Sequence, residues 1–249
     1  MENITSKIIK SPCLFENLDN SLKNNYRNKK IQLVSFVNPY SYMILRKEKK
    51  SNMNVDFFYS DSFISSIIFS IIARRKIARV SFDYSSFAKY FLDKVSESND
   101  SVYFIGSKQN EIEKTIGIFK SKYPNLKIAG YRHGYFKDEN EVNTIVNNII
   151  ASKANFVICG LGTPFQEKFG TKLKNSYSSN IKIIYTCGGF LHQSSNKIQY
   201  YPHWINKFNL RWLYRLLKEK YTLKRILIQY PQFLFFSFYD HITNQFKNR

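Results

Sequence analysis

The chain has 249 residues, 43% of them hydrophobic, and a formal net charge of +20. That apolar content supports the packed core of one large domain, or of one domain with an appendage, and excludes a disordered tail protein. The charge calls for anionic company in the form of nucleic acid, lipid headgroups or phosphorylated small molecules, and does not choose among them.

Cys13, Cys159 and Cys187 are scattered too widely for a disulfide framework or a zinc spacing, which fits a reducing cytosol. The opening Met1-Glu2-Asn3-Ile4-Thr5-Ser6-Lys7 is too polar to begin a signal peptide. No run reaches the roughly 18 apolar residues of a membrane-spanning helix. The expectation is a protein on the cytoplasmic side.

Residues 31–37 read as a strand, crowded with β-branched and aromatic side chains and stopped by Asn38-Pro39, with a short helix to follow. The basic run from Arg46 to Lys50 reads as a solvated loop. Residues 55–59 form a second strand. Ser60-Asp61 then opens an apolar stretch through Ile72, too long for one strand and suited to a mostly buried helix. Ser81 or Asp83 can cap the next helix, in which Phe87, Tyr90, Phe91 and Val95 recur at core spacing.

A strand over 101–106, closing on Gly106, precedes a helix with Ile112, Ile116 and Phe119 on one face. A strand over 126–131 leads to His133-Gly134-Tyr135, and a helix is predicted over 138–151. The run Phe156-Val157-Ile158-Cys159-Gly160-Leu161-Gly162-Thr163-Pro164-Phe165-Gln166-Glu167 is a buried-type strand, two glycines, a helix-opening proline and a polar pair. A last strand over 181–186 closes on Cys187-Gly188-Gly189. Strands alternating with helices at this spacing predict an α/β fold, Rossmann-like, with a mostly parallel sheet flanked by helices. In such sheets ligands bind beyond the carboxyl ends of the strands, where Asn38, Asp61, Gly106, His133, Gly162, Gln166 and Gly188 all fall.

The division expected is an N-terminal extension over 1–30, an α/β catalytic domain over 31–202 and a basic, aromatic, helical appendage over 203–249. In the appendage Trp204, Leu210, Trp212, Leu213 and Tyr214 interleave with Arg211, Arg215, Lys218, Lys220, Lys224 and Arg225, and residues 226–238 are strongly apolar. Such a helix can lie in a membrane interface with its cations on anionic lipid, or pack on the sheet, and composition leaves both open.

Read in order, Ile128-Ala129-Gly130-Tyr131-Arg132-His133-Gly134-Tyr135-Phe136, Gly160-Leu161-Gly162-Thr163-Pro164-Phe165-Gln166-Glu167, Gly188-Gly189-Phe190, Pro202-His203-Trp204 and Leu210-Arg211-Trp212-Leu213-Tyr214-Arg215-Leu216 resemble the WecG/TagA/CpsF glycosyltransferase family. The resemblance implies an inverting, metal-independent hexosyltransferase with no cofactor. It would move a hexose or N-acetylhexosamine from a nucleotide diphosphate sugar, UDP-linked in the expected case, to a polyprenyl-diphosphate-linked saccharide in surface polysaccharide synthesis, as a peripheral protein on the inner face of the cell membrane. It also implies the anionic membrane surface as a partner, no nucleic acid, and room for a homo-oligomer.

An inverting transfer needs a base for the acceptor hydroxyl proton, and a carboxylate in hydrogen-bond reach is the economical choice. Asp61 matches the position of the family's proposed base, with Ser62 where the family has glycine; read without the family, Asp61 caps the helix that follows it. By the same resemblance Asn38 matches a position near the donor sugar, and Arg79, in Arg79-Val80-Ser81-Phe82-Asp83, resembles the family's Arg-x-Thr-Gly-x-Asp and is expected to bind substrate. Gly106, Gly162, Gln166, Glu167 and Gly188 line the binding site, and Arg215 and Arg225 receive the leaving diphosphate, a task for which arginine's paired donors are shaped. Two other classes compete: a basic nucleic-acid-binding protein, which would bind RNA or single-stranded DNA without turnover, and a family member that has lost catalysis and serves as an assembly partner.

Overall fold

The computed structural model describes residues 3–23, 30–48, 54–176, 180–196, 205 and 221–247, with the side chains of the last helix described over 227–243. Six strands form one sheet: β1 (Gln32–Val37), β2 (Phe57–Ser60), β3 (Ser101–Gly106), β4 (Lys127–Arg132), β5 (Phe156–Gly160) and β6 (Ile183–Thr186). Their order is β2-β1-β6-β5-β3-β4 and every neighbouring pair is parallel. All six carboxyl ends therefore lie along one edge. The central strands are buried on both faces, which is why they read as nearly continuous apolar runs, whereas β4 at the sheet's edge is half-exposed.

Helices cover both faces. On one face lie α1 (Ile4–Lys10), α3 (Pro39–Leu45), α4 (Phe63–Ala73), α7 (Glu139–Ala151), α8 (Phe165–Asn175) and α10 (Tyr221–Lys247), which share a core containing Ile4, Tyr42, Phe69, Ile149, Phe169 and Phe233. On the other lie α2 (Leu14–Leu22), α5 (Phe87–Ser96), α6 (Gln109–Lys122) and α9 (Phe190–Ser194), around Leu18, Phe91, Phe119, Tyr185 and Phe190. The second core has an aromatic centre, with Phe82, Phe87, Phe91 and Tyr185 in mutual ring contact.

Three local readings change. Helix α4 starts at Phe63 and is capped by Ser62, whose side chain accepts from the Ser65 N–H, so the cap is not Asp61. Nor is the helix mostly buried: Ser65, Ser66, Phe69 and Ile72 face inward while Phe63, Ile67 and Ile71 face solvent. Helix α5 begins after Ser86, and Asp83 instead braces the preceding turn by accepting from the Ser85 N–H.

The basic run is not simply solvated. Arg46 ends α3 with two guanidinium nitrogens on the Asp240 carboxylate and its guanidinium carbon 4.1 Å from the Phe236 ring centre, both partners on α10. Lys49 and Lys50 lie outside the described residues. The Tyr42 hydroxyl also donates to Asp240, at 2.8 Å, and the Phe233 ring meets Tyr42 and Phe69 edge-on. The C-terminal helix is thus packed on the sheet's helical layer along one face. Its other face exposes Leu227, Ile228, Leu234, Phe235, Phe238, Tyr239 and Ile242. Among the described residues no helix is long and apolar enough to cross a membrane.

Candidate active site

The exits of adjacent strands β2, β1, β6 and β5 build the site. Helices α3 and α8 leave β1 and β5 toward one face, and α9 leaves β6 toward the other, so the exits part around β6 and open a crevice.

At the β2 end, the Asp61 N–H donates to the Val37 carbonyl at 2.8 Å, and the Asp61 carbonyl accepts from Arg79 Nε at 3.1 Å. Arg79 also donates to Ser81 Oγ and stands 3.7 Å from the Asp83 carboxylate. A residue 18 positions downstream is thereby held against the strand exit. Asn38, one residue beyond β1, caps α3: its Oδ1 accepts from the Ser41 N–H while the Ser41 hydroxyl accepts from the Asn38 N–H.

At the β5 and β6 ends, Gly162 and Gly188 have φ of 75° and 52°, values that favour glycine, and a Cβ built on either would meet nothing within 4 Å. Open space lies over both. The Gln166 amide ties the two loops, with Oε1 accepting from the Gly188 N–H at 3.1 Å and Nε2 donating to Glu167 Oε1 at 3.0 Å. Gln166 is 2% exposed and Glu167 is fully buried.

Glu167 ends a polar chain beneath the crevice. The Thr186 hydroxyl donates to Ser35 Oγ at 3.1 Å, and Ser35 donates to Glu167 Oε1 at 2.8 Å. The second carboxylate oxygen, Oε2, is buried with no hydrogen-bond partner among the described residues. Burial raises the Glu167 pKa above the ordinary value, against the opposing pull of the Gln166, Ser35 and Thr163 donors. Sequence reasoning missed Ser35, Thr186 and Thr163. For Ser35 and Thr186 the available signal was a hydroxyl within an otherwise apolar strand, which a buried site tolerates only when bonded.

Gly106 lies one strand farther along, at the end of β3. A Cβ there would stand 2.5 Å from the Gly160 carbonyl oxygen, so its glycine permits β3 and β5 to approach. His133, after β4, accepts from the Tyr135 N–H through Nδ1. Arg215 lies outside the described residues, as does the side chain of Arg225, whose backbone belongs to α10. Of the residues singled out from sequence, Asn38, Asp61, Arg79, Gly162, Gln166 and Gly188 therefore gather on neighbouring exits, Glu167 lies just below, and Gly106 is set apart.

An open, parallel α/β sheet with a glycine-lined, polar crevice at its carboxyl edge defines a ligand-binding enzyme architecture. Comparison with known proteins narrows it. The sequence profile described as "Glycosyl transferase WecG/TagA/CpsF family" matches residues 8–247, and the chain belongs to that family. It is 36% identical over 208 residues, covering 83% of this chain and 86% of the relative, to UDP-Gal:alpha-D-GlcNAc-diphosphoundecaprenol beta-1,4-galactosyltransferase of Shigella boydii. Two N-acetylglucosaminyldiphosphoundecaprenol N-acetyl-beta-D-mannosaminyltransferases are also similar. The Bacillus spizizenii enzyme is 30% identical over 70% of this chain and 65% of its own length, and that of Bacillus subtilis 27% over 83% and 79%. The chain is a glycosyltransferase.

Proposed function

We propose that the protein is an inverting hexosyltransferase that moves a hexose or N-acetylhexosamine from a UDP-sugar to the N-acetylglucosamine of an undecaprenyl-diphosphate-linked acceptor, on the inner face of the cell membrane, for surface polysaccharide. The reading draws its donor and acceptor from the Shigella relative's printed activity, which names UDP-Gal, a diphosphoundecaprenol-linked GlcNAc and a β-linked product. The observation that carries it is the place of Asp61, one residue beyond β2, on the same sheet edge as the open backbone over Gly162 and Gly188. At about 5 Å per strand the four exits from β2 to β5 span roughly 15 Å, room for an extended nucleotide sugar.

In this reading the acceptor hydroxyl attacks the anomeric carbon from the face opposite the departing diphosphate. Asp61 takes the hydroxyl proton as the new bond forms. Ser62 occupies the helix cap, which relieves Asp61 of that duty. The diphosphate lies over Gly162 and Gly188 toward the first turn of α8, where the positive end of the helix dipole favours an anion. Arg215 and Arg225 add charge-assisted donors as the diphosphate leaves. Gln166 works indirectly: its amide is spent on Gly188 and Glu167, so it shapes the crevice floor by holding the β6 loop against α8.

The test is turnover. Purified protein incubated with a panel of UDP-sugars and a polyprenyl-diphosphate-linked GlcNAc acceptor should release UDP with one of them, and Asp61→Asn should lower that rate by about a hundredfold or more with the fold intact. Near-normal turnover of Asp61→Asn removes Asp61 from the mechanism. Donor binding with no turnover by the unmodified protein would favour the assembly-partner reading.

A further inference from the structure

Helix α4 combines two features that ordinary surface helices lack. Its outward stripe consists of Phe63, Ile67 and Ile71, exposed by 47%, 43% and 58%, and the helix carries no charged residue over its whole length. At its end Arg74, Arg75 and Lys76 follow in succession, all exposed, and residues 62–82 contain no acid.

The stripe adjoins that of α10. Phe69 and Phe233 meet each other and Tyr42 in one inner cluster, so α4 and α10 sit side by side in the same layer. At 100° per residue, Ile67 points roughly opposite Phe69, and Phe235 and Ile242 roughly opposite Phe233. Both apolar stripes therefore face outward from one side of the molecule. Residues 226–239 of α10 are uncharged too.

We propose that Phe63, Ile67 and Ile71 insert into the headgroup and acyl boundary of an anionic bilayer beside α10, with Arg74, Arg75 and Lys76 on the lipid phosphates. This deepens the lipid-linked acceptor reading and rests on it, because α4 begins two residues after Asp61 and its insertion brings the β2 exit down to the membrane plane. The occupant follows from charge. A second copy of a +20 chain would bring cations against the Arg74 cluster, whereas anionic headgroups match it.

The experiment uses the full chain with vesicles of phosphatidylcholine alone or mixed with phosphatidylglycerol. Phe63→Gln/Ile67→Gln/Ile71→Gln should lower partitioning to the mixed vesicles by roughly tenfold or more, and Arg74→Ser/Arg75→Ser/Lys76→Ser should remove most of the preference for mixed over neutral vesicles. Should the triple glutamine variant fold poorly, Ile67→Trp decides: its added fluorescence should be quenched by brominated acyl chains beyond the wild-type signal. Unchanged partitioning, absence of added quenching, or a fall in oligomer mass of the glutamine variant on lipid-free sizing each overturns the proposal, the last by identifying a second copy as the occupant. Turnover separates this surface from the catalytic reading. A folded glutamine variant should lose activity on vesicle-embedded acceptor and keep it on a water-soluble acceptor without the long polyprenyl chain. If the wild type turns over neither acceptor, the catalytic reading fails and partitioning still judges the surface.

Discussion

Glu167 shows how a residue that reads as part of a polar surface can lie in the interior. Beside Gln166 at the start of a helix, its carboxylate looks suited to the helix dipole. Its real partners are Ser35 on β1 and, through it, Thr186 on β6, at sequence separations of 132 and 151 along the chain of bonds. A hydroxyl in an apolar strand signals that a partner is needed, but no local pattern says which one. The consequence is measurable. With the folded pKa raised above 4.5 by burial, the unfolded chain sheds this proton first as pH rises, so stability is full below the ordinary glutamate range and declines above it. Urea midpoints of Glu167→Gln should therefore gain on those of the wild type as pH is raised from about 4 to 7. Parallel pH profiles would mean that Glu167 ionises as easily folded as unfolded. Asp61 was legible in a different sense: its place after a strand was evident, but whether it capped α4 depended on which neighbouring oxygen reached the Ser65 N–H, and Ser62 does.

At the scale of elements, all six strands could be read because β-branched and aromatic runs bounded by glycine, proline or asparagine have few other solutions. Helix α4 defeated the same logic. Its apolar residues occur all round the helix, so periodicity gave no exposed side to find, and the edge position of β2 together with the packing of α1 and α10 determines which residues are covered. Arg46 is the matching case for charge, since its carboxylate partner lies 194 residues away. That clasp predicts a division of labour within α10. Phe233 is fully buried between Tyr42 and Phe69, and Phe233→Ala should cost about 3 to 5 kcal/mol by urea denaturation and open α10 to protease. Phe235→Ala, on the exposed face of the same helix, should leave stability within about 0.5 kcal/mol. Equal costs would show that the helix is not held by one face.

For the whole molecule, the +20 charge first suggested any polyanion, and the fold supplies the geometry that charge lacks. The crevice opens at the carboxyl edge of the sheet, and the uncharged faces of α4 and α10 belong to a single helical layer. The C-terminal helix serves that layer twice, filling it with Phe233 and pinning α3 through Asp240. A shortened chain ending before Tyr221, of the sort made to obtain a better-behaved sample, would uncover the rings of Tyr42 and Phe69 and orphan the Arg46 guanidinium. Such a fragment should clump rather than become more tractable, and its failure to float with liposomes would report a greasy scar sticking to its like, not the loss of a tether.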